Sequence, residues 1–137
     1  LVGSEMCIRD RSERYFQMHL TGQWTKGKSC DGFGPVGPHL LTRDEMPDPQ
    51  NLDMSVMVNG TKMQNGNSRD MIFSVRQIIA HLSELMTLHP GDIIATGTPA
   101  GVGMGQKPAP IYLQDGDEIV TTIAGLGSQR QFVVADS

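Results

Sequence analysis

"LDMSVMVNGTKMQ", residues 52 to 64, is the stretch that decides the fold. Leu52, Met54, Val56 and Val58 alternate with Asp53, Ser55 and Met57, the period of a strand with one buried face. Asn59-Gly60 tolerates positive φ at both central positions of a tight turn, so Thr61 to Gln64 is expected to return antiparallel as a hairpin. Downstream, Val75, Ile78, Ile79, Leu82 and Met86 recur on one side of a helix. Ser74 and Gln77 supply a capping box, Phe73 can staple onto Ile78, and Pro90-Gly91 places the helix end near His89.

Further along, Ile93 to Thr96 shows no alternation and reads as a strand covered on both faces. A short strand is expected at Ile111 to Leu113, then a turn at Gln114 to Asp117, a strand at Glu118 to Ala124 and a last one at Gln131 to Ala135. The C-terminal third is thus an antiparallel meander. The expected class is α+β, a strand-rich mixed sheet folded on itself with one main helix.

A chain of 137 residues holds one domain or part of one. Its formal charge is −4, and neither Lys nor Arg clusters into a stripe, which argues against nucleic acid or an anionic membrane as partner. No uncharged apolar run approaches the roughly 18–20 residues of a spanning helix, and the N-terminus has no signal-peptide core. A cytoplasmic protein acting on a small molecule, with Cys7 and Cys30 reduced, is the expectation.

"GDIIATGTPAGVGMG", residues 91 to 105, carries four glycines between Gly97 and Gly105. Both familiar nucleotide loops fail here, because the spacing of neither G-x-x-x-x-G-K-[ST] nor G-x-G-x-x-G is present and Gln106 to Pro110 cannot open the required helix. Two readings remain: a structural turn, or a backbone-lined loop that brings N–H groups and the Thr98 hydroxyl to a carboxylate or enolate oxygen. Asp31, Asp44 and Asp48 read as turn residues, His39 and His81 as packing or surface histidines, and the nine methionines as filling for core gaps.

The segments "WTKGKSCDGFGPVGPHLLTRDEMPDPQNL" (Trp24 to Leu52) and "DMIFSVRQIIAHLSELMTLHPGDIIATGTPAGVGMGQKP" (Asp70 to Pro108) together resemble the C-terminal part of the fumarylacetoacetate hydrolase family. The resemblance runs from about Ser12 to the end. Within the family, "SERYFQ", the stretch from Gly27 to Leu52 and "NGNS" are most similar to members assigned as 2,4-diketo-3-deoxy-L-fuconate hydrolases, some of them labelled ureidoglycolate lyases. The resemblance implies a fumarylacetoacetase C-terminal-like fold and a homodimer. It also implies Mg2+ or Mn2+ on three carboxylates, and hydrolysis of a C–C bond in a 2,4-dioxo acid through a metal-stabilised enolate. Isomerases, decarboxylases and lyases of the family stabilise the same enolate, so fold alone does not choose among them.

By the same resemblance, Arg14 pairs with the far end of the substrate and Gln17 hydrogen-bonds its oxygens. Lys28 is a buried cation that offsets developing negative charge, and Gly97 with Thr98 touches the substrate carboxylate. The family's Glu-x-Glu ligand pair and general-base histidine belong to a segment preceding the region of resemblance, and no Glu-x-Glu occurs in this sequence. Asp10 stands at the offset of the third metal ligand, although Arg9 and Arg11 flank it where the family has Asn and an apolar residue. The polypeptide as it stands is therefore expected to be inactive alone. Residues 1 to 11 resemble nothing in the family. Back-translated, Glu5 to Asp10 can be written GAG ATG TGT ATA AGA GAC, which looks like a transposon end from sequencing-library preparation. A non-native leader over 1–11, followed by the domain at 12–137, is the expected organisation.

Overall fold

The alternation around Asn59-Gly60 builds the hairpin it implies. In the structure, a computed structural model, strand β3 (Asp53–Val58) turns through Asn59 at φ 49° and Gly60 at φ 78° into the antiparallel strand β4 (Thr61–Asn67). The model describes the backbone of residues 4–8 and the whole of residues 10–20, 22–46 and 48–135. Asn59 also clamps the next strand: its side chain donates to Asp117 Oδ1 (2.7 Å) and accepts from the Glu118 N–H (2.9 Å). Asp117 in turn accepts from the Gln114 N–H at 2.7 Å. That backbone bond first, and the Asn59 amide second, hold the exposed Asp117 carboxyl below its usual range.

From this clamp β5 (Glu118–Ile123) runs antiparallel beside β3, and β6 (Gly127–Phe132) returns beside β5. The order across the four-stranded sheet is β4-β3-β5-β6. Strands β1 (Ser4–Ile8) and β2 (Val36–Thr42) form a separate antiparallel pair, with β2 against β6, so the strands fold over on themselves. Every pairing among the described residues is antiparallel, where the sequence suggested a mixed sheet.

The hairpin is not regular. Val56 faces Gln64 while Met57 faces Lys62, so Met63 is the extra residue of a β-bulge. The bulge turns Gln64 onto the face carrying Val56, Thr121 and Gln129, a row of buried side chains spanning all four strands. Ile119 lies on the same inner face, fully buried. A small core of Met46 and Leu126, flanked by Leu41, Leu52 and Ile123, closes the end near the β5–β6 turn. Met18, Met86 and Met104 are about half exposed, so the methionines are not all core filling.

Helix α2 (Val75–Leu85) carries the expected capping box: Ser74 Oγ accepts from the Gln77 N–H and Gln77 Oε1 accepts from the Ser74 N–H. Its apolar stripe, Val75, Ile78, Ile79 and Leu82, is half-buried. The helix ends at Leu85 rather than near His89, because Asp92 captures the His89 N–H with its carboxylate (2.7 Å) and His89 precedes a proline. Two expected strands are absent. Neither Ile93 to Thr96 nor Ile111 to Leu113 finds a ladder partner among the described residues, and both Ile93 and Ile111 are more than half exposed. The final strand begins four residues earlier than expected. Gly125 and Gly127, both near φ +79°, close a tight turn directly after Ile123.

Candidate functional site

The glycine-rich loop is built onto the bulge of β4. Gln64 Nε2 donates to Thr98 Oγ1 at 2.8 Å and to the Pro99 carbonyl at 2.7 Å. Gly66 lets Pro99 close in, since a Cβ there would stand 2.8 Å from Pro99 Cβ. A Cβ on Gly101 would overlap the Met63 carbonyl oxygen, and one on Gly103 would overlap that of Ile111. Gly101 and Gly103 thus serve close packing of the loop itself. Gly97 differs: its φ is +107°, and nothing lies within 4 Å of where its Cβ would be. Gly97 and Thr98 are both exposed, as are Ala100, Met104 and Gly105 further along the loop.

The second group of expected residues lies at the other edge. A π-helical turn (Tyr15–Leu20) packs on the short helix α1 (Trp24–Lys28), tied by the Glu13 N–H donating to the Gly27 carbonyl at 2.8 Å. Gly27 has to be glycine for this approach, because a Cβ would overlap Glu13 O and stand 2.6 Å from Gln17 Cβ. Gln17 is 1% exposed, yet neither Nε2 nor Oε1 of its side chain has a partner. A buried amide with no partner is costly in isolation and suits a site completed by a polar ligand. Single π-helical turns of this kind recur at functional sites.

Lys28 Nζ donates to Asp10 Oδ2 at 2.7 Å. Its side chain is 32% exposed, so it is a half-buried cation at a helix C-terminus rather than the buried one expected. Arg14 is half-buried and makes no hydrogen bond or ion pair with any described residue. Cys30 is free, and the Cys7 side chain lies outside the described residues. His81 is exposed on α2 and His39 on β2.

A chain of hydrogen bonds runs along the β6 edge. Arg11 donates to Gln131 Oε1 (2.6 Å), Gln131 Nε2 to Gln129 Oε1 (2.9 Å), and Gln129 Nε2 to the Gly37 carbonyl (2.7 Å). Burial lowers the pKa of Arg11 and leaves its Nε unpartnered. Gln131 and Gln129 lie on the face that also carries Gln64. The Gln64–Thr98 pair thus stands at the β4 edge of this face, while Arg11, next to Asp10 in the chain, reaches the same face at the β6 edge, with two strands between. Strands β4 and β6 are three spacings apart, about 14 Å on a flat sheet. No hydrogen bond or ion pair among the described residues joins the groups directly. Nothing in the sequence singled out Gln64, Gln129 or Gln131, because a glutamine in a strand gives no signal until its register is known.

The residues present do not by themselves make a cation site. Among those described, no three His, Cys, Asp or Glu stand close enough to share a metal ion, and Asp10 is engaged by Lys28. The polar groups among the expected residues are the Lys28 ammonium, already paired with Asp10, the Arg14 guanidinium, without a partner among the described residues, the buried Gln17 amide and the exposed Thr98 hydroxyl. No helix among the described residues is long and apolar enough to cross a membrane.

A family model described as "Fumarylacetoacetate (FAA) hydrolase C-terminal" matches residues 2–134, so the likeness begins before Ser12, within the stretch expected to resemble nothing in the family. A Burkholderia multivorans protein that carries only a provisional name, hydrolase, is 57% identical over 134 residues, 98% of this chain and 48% of that protein. The solved structure of a fumarylacetoacetate hydrolase from Exiguobacterium antarcticum superposes with a TM-score of 0.79 at 37% identity, covering 98% of this chain and 56% of that one. A 2-hydroxyhepta-2,4-diene-1,7-dioate isomerase from Mycobacterium marinum does so with a TM-score of 0.77 at 36% identity, covering 97% and 57%. The chain spans about half the length of the curated relatives it matches.

Proposed function

Since this chain belongs to the fumarylacetoacetate hydrolase family, we propose that it forms the C-terminal portion of a hydrolase cleaving the C–C bond of a 2,4-dioxo acid. The substrate class is an acylpyruvate or a 2,4-diketo-3-deoxy sugar acid, and the motif likeness to 2,4-diketo-3-deoxy-L-fuconate hydrolases favours the second. The observation that carries this reading is the buried, unpartnered Gln17 amide packed on the helix that bears Lys28. An apolar ligand would leave the Gln17 amide without a counterpart.

In this reading the Thr98 hydroxyl and the turn at Gly97 hold the substrate carboxylate, Gln17 binds its keto oxygens, and Arg14 pairs with its far end. Water adds to the distal carbonyl, the C–C bond breaks toward the pyruvate half, and a proton completes its methyl group, giving a carboxylic acid and pyruvate. Lys28 places positive charge beside the electrons as they move. A divalent cation, Mg2+ or Mn2+, belongs to the proposal, with its ligands supplied mainly from outside these residues and Asp10 as the candidate within them. A homodimer in the cytoplasm is the proposed setting.

An isomerase remains the second reading, favoured by the likeness to the Mycobacterium marinum enzyme. Product analysis separates the two. With Mg2+ and a chain extended to its relatives' length, acetylpyruvate is expected to yield acetate and pyruvate in equal amounts, while these 137 residues alone yield neither. A double-bond shift without cleavage, or release of CO2, would overturn the hydrolase assignment.

A further inference from the structure

Gln64 sits 8% exposed on β4, opposite Val56 on the inner face of the sheet. Its amide orientation is determined by chemistry. The Pro99 carbonyl can only accept, so the side-chain atom 2.7 Å from it must be the NH2 group. The second hydrogen of that NH2 group then points at Thr98 Oγ1, 2.8 Å away, and makes this oxygen an acceptor. A hydroxyl that accepts there keeps its own proton for another partner, and Thr98 has no other hydrogen bond among the described residues. Thr98 is exposed, so a ligand in the open space beside the loop can accept that proton.

We propose that Gln64 is a positioning residue: by donating to Thr98 Oγ1 it leaves that hydroxyl's own proton to be donated to an anionic oxygen of the bound oxo acid. The proposal rests on the reading of Thr98 as a carboxylate contact. Its physical content is preorganisation, since a hydroxyl free to rotate must be oriented by the ligand while one already accepting from Gln64 is oriented beforehand. The same amide supplies the Pro99 carbonyl, which has no backbone partner among the described residues. One side chain therefore both anchors the turn and chooses the direction of its hydrogen bond.

Oxalate, a rigid analogue of the oxo-acid end, is the probe, with affinity measured by calorimetry on the Mg2+-loaded chain at its relatives' length. Gln64→Met, which keeps the shape and removes the donors, is expected to weaken oxalate binding about fivefold to tenfold. Thr98→Val is expected to weaken it by at least as much. The deciding value is the double variant: if Gln64 acts through the Thr98 hydroxyl, adding Gln64→Met to Thr98→Val costs nothing further. A residue that merely supports the loop would lose the same factor in both backgrounds, and that additivity overturns the proposal. If Gln64→Met fails to fold, Gln64→Glu serves in the same cycle with the same criterion. Unchanged oxalate binding in Thr98→Val overturns the Thr98 reading itself. A full effect of Thr98→Val with none from Gln64→Met overturns only the role of Gln64.

Discussion

Replacing Gly101 with alanine is expected to lift the turn at Thr98 off β4. The new Cβ would overlap the carbonyl oxygen of Met63, a backbone atom that cannot swing away as a side chain could. Gly101 also sits at φ +105°, where an L side chain is strained. Overpacking and backbone strain together cost about 2–5 kcal/mol, more than the hydrogen bonds from Gln64 return. Hydrogen exchange should accelerate across Thr98 to Gln106, whose own amide bonds the Gly101 carbonyl at 2.8 Å, and the melting midpoint should fall. Two neighbours calibrate the effect. Gly97→Ala meets open space and carries only the strain of φ +107°, so its loss should be smaller. Gly105→Ala makes an ordinary 3.8 Å contact with Val102 and should be close to neutral. Equal losses at all three positions would mean that the loop does not dock on the bulge.

Gly27→Ala is the second large effect, at the other edge of the sheet. Its Cβ would overlap Glu13 O and press to 2.6 Å from Gln17 Cβ, so α1 and the π-helical turn have to separate. The expected cost is about 1–3 kcal/mol. Separation also breaks the Glu13–Gly27 hydrogen bond, uncovers Gln17 and draws Lys28 from Asp10. Thermal unfolding reads the stability. The backbone amide shifts of Gln17 and Lys28 read the displacement, and unchanged shifts together with an unchanged midpoint would show that the two elements are not in contact.

The hairpin and the capped helix were readable because their signals are local. Asn59-Gly60 specifies a turn with positive φ, and Ser74 with Gln77 closes its own hydrogen bonds, whatever the rest of the chain does. The two missing strands were unreadable for the opposite reason. Apolar runs such as Ile93 to Thr96 become strands only when another strand pairs with them, and that pairing is not encoded in the run. The position of Gln64 was hidden by a single residue. A regular two-residue hairpin would set Met63 opposite Val56 and send Gln64 outward, whereas the bulge exchanges them and delivers an amide to the loop.

Of the site, Arg14, Gln17, Lys28 and Thr98 came from the family likeness, and the structure adds what surrounds them. Gln17 is buried without partners, and Lys28 is half-exposed on Asp10. Thr98 is held by a residue that no motif marked. The roles of the glycines were only partly legible. A Gly-rich loop suggested close approach of a ligand, yet Gly101 and Gly103 are consumed by contacts with Met63 and Ile111 inside the fold. Sequence spacing cannot separate those two uses, because both require a missing Cβ.

The central claim of the proposed function is that the Lys28 and Thr98 groups line one site for one oxo acid. Following the backbone amides of both residues by NMR while oxalate is added to the Mg2+-loaded chain at its relatives' length tests it most directly. Both signals are predicted to move along one saturating curve with a single midpoint. Oxalate that shifts one of them and leaves the other still, or shifts them with midpoints severalfold apart, would contradict a shared site.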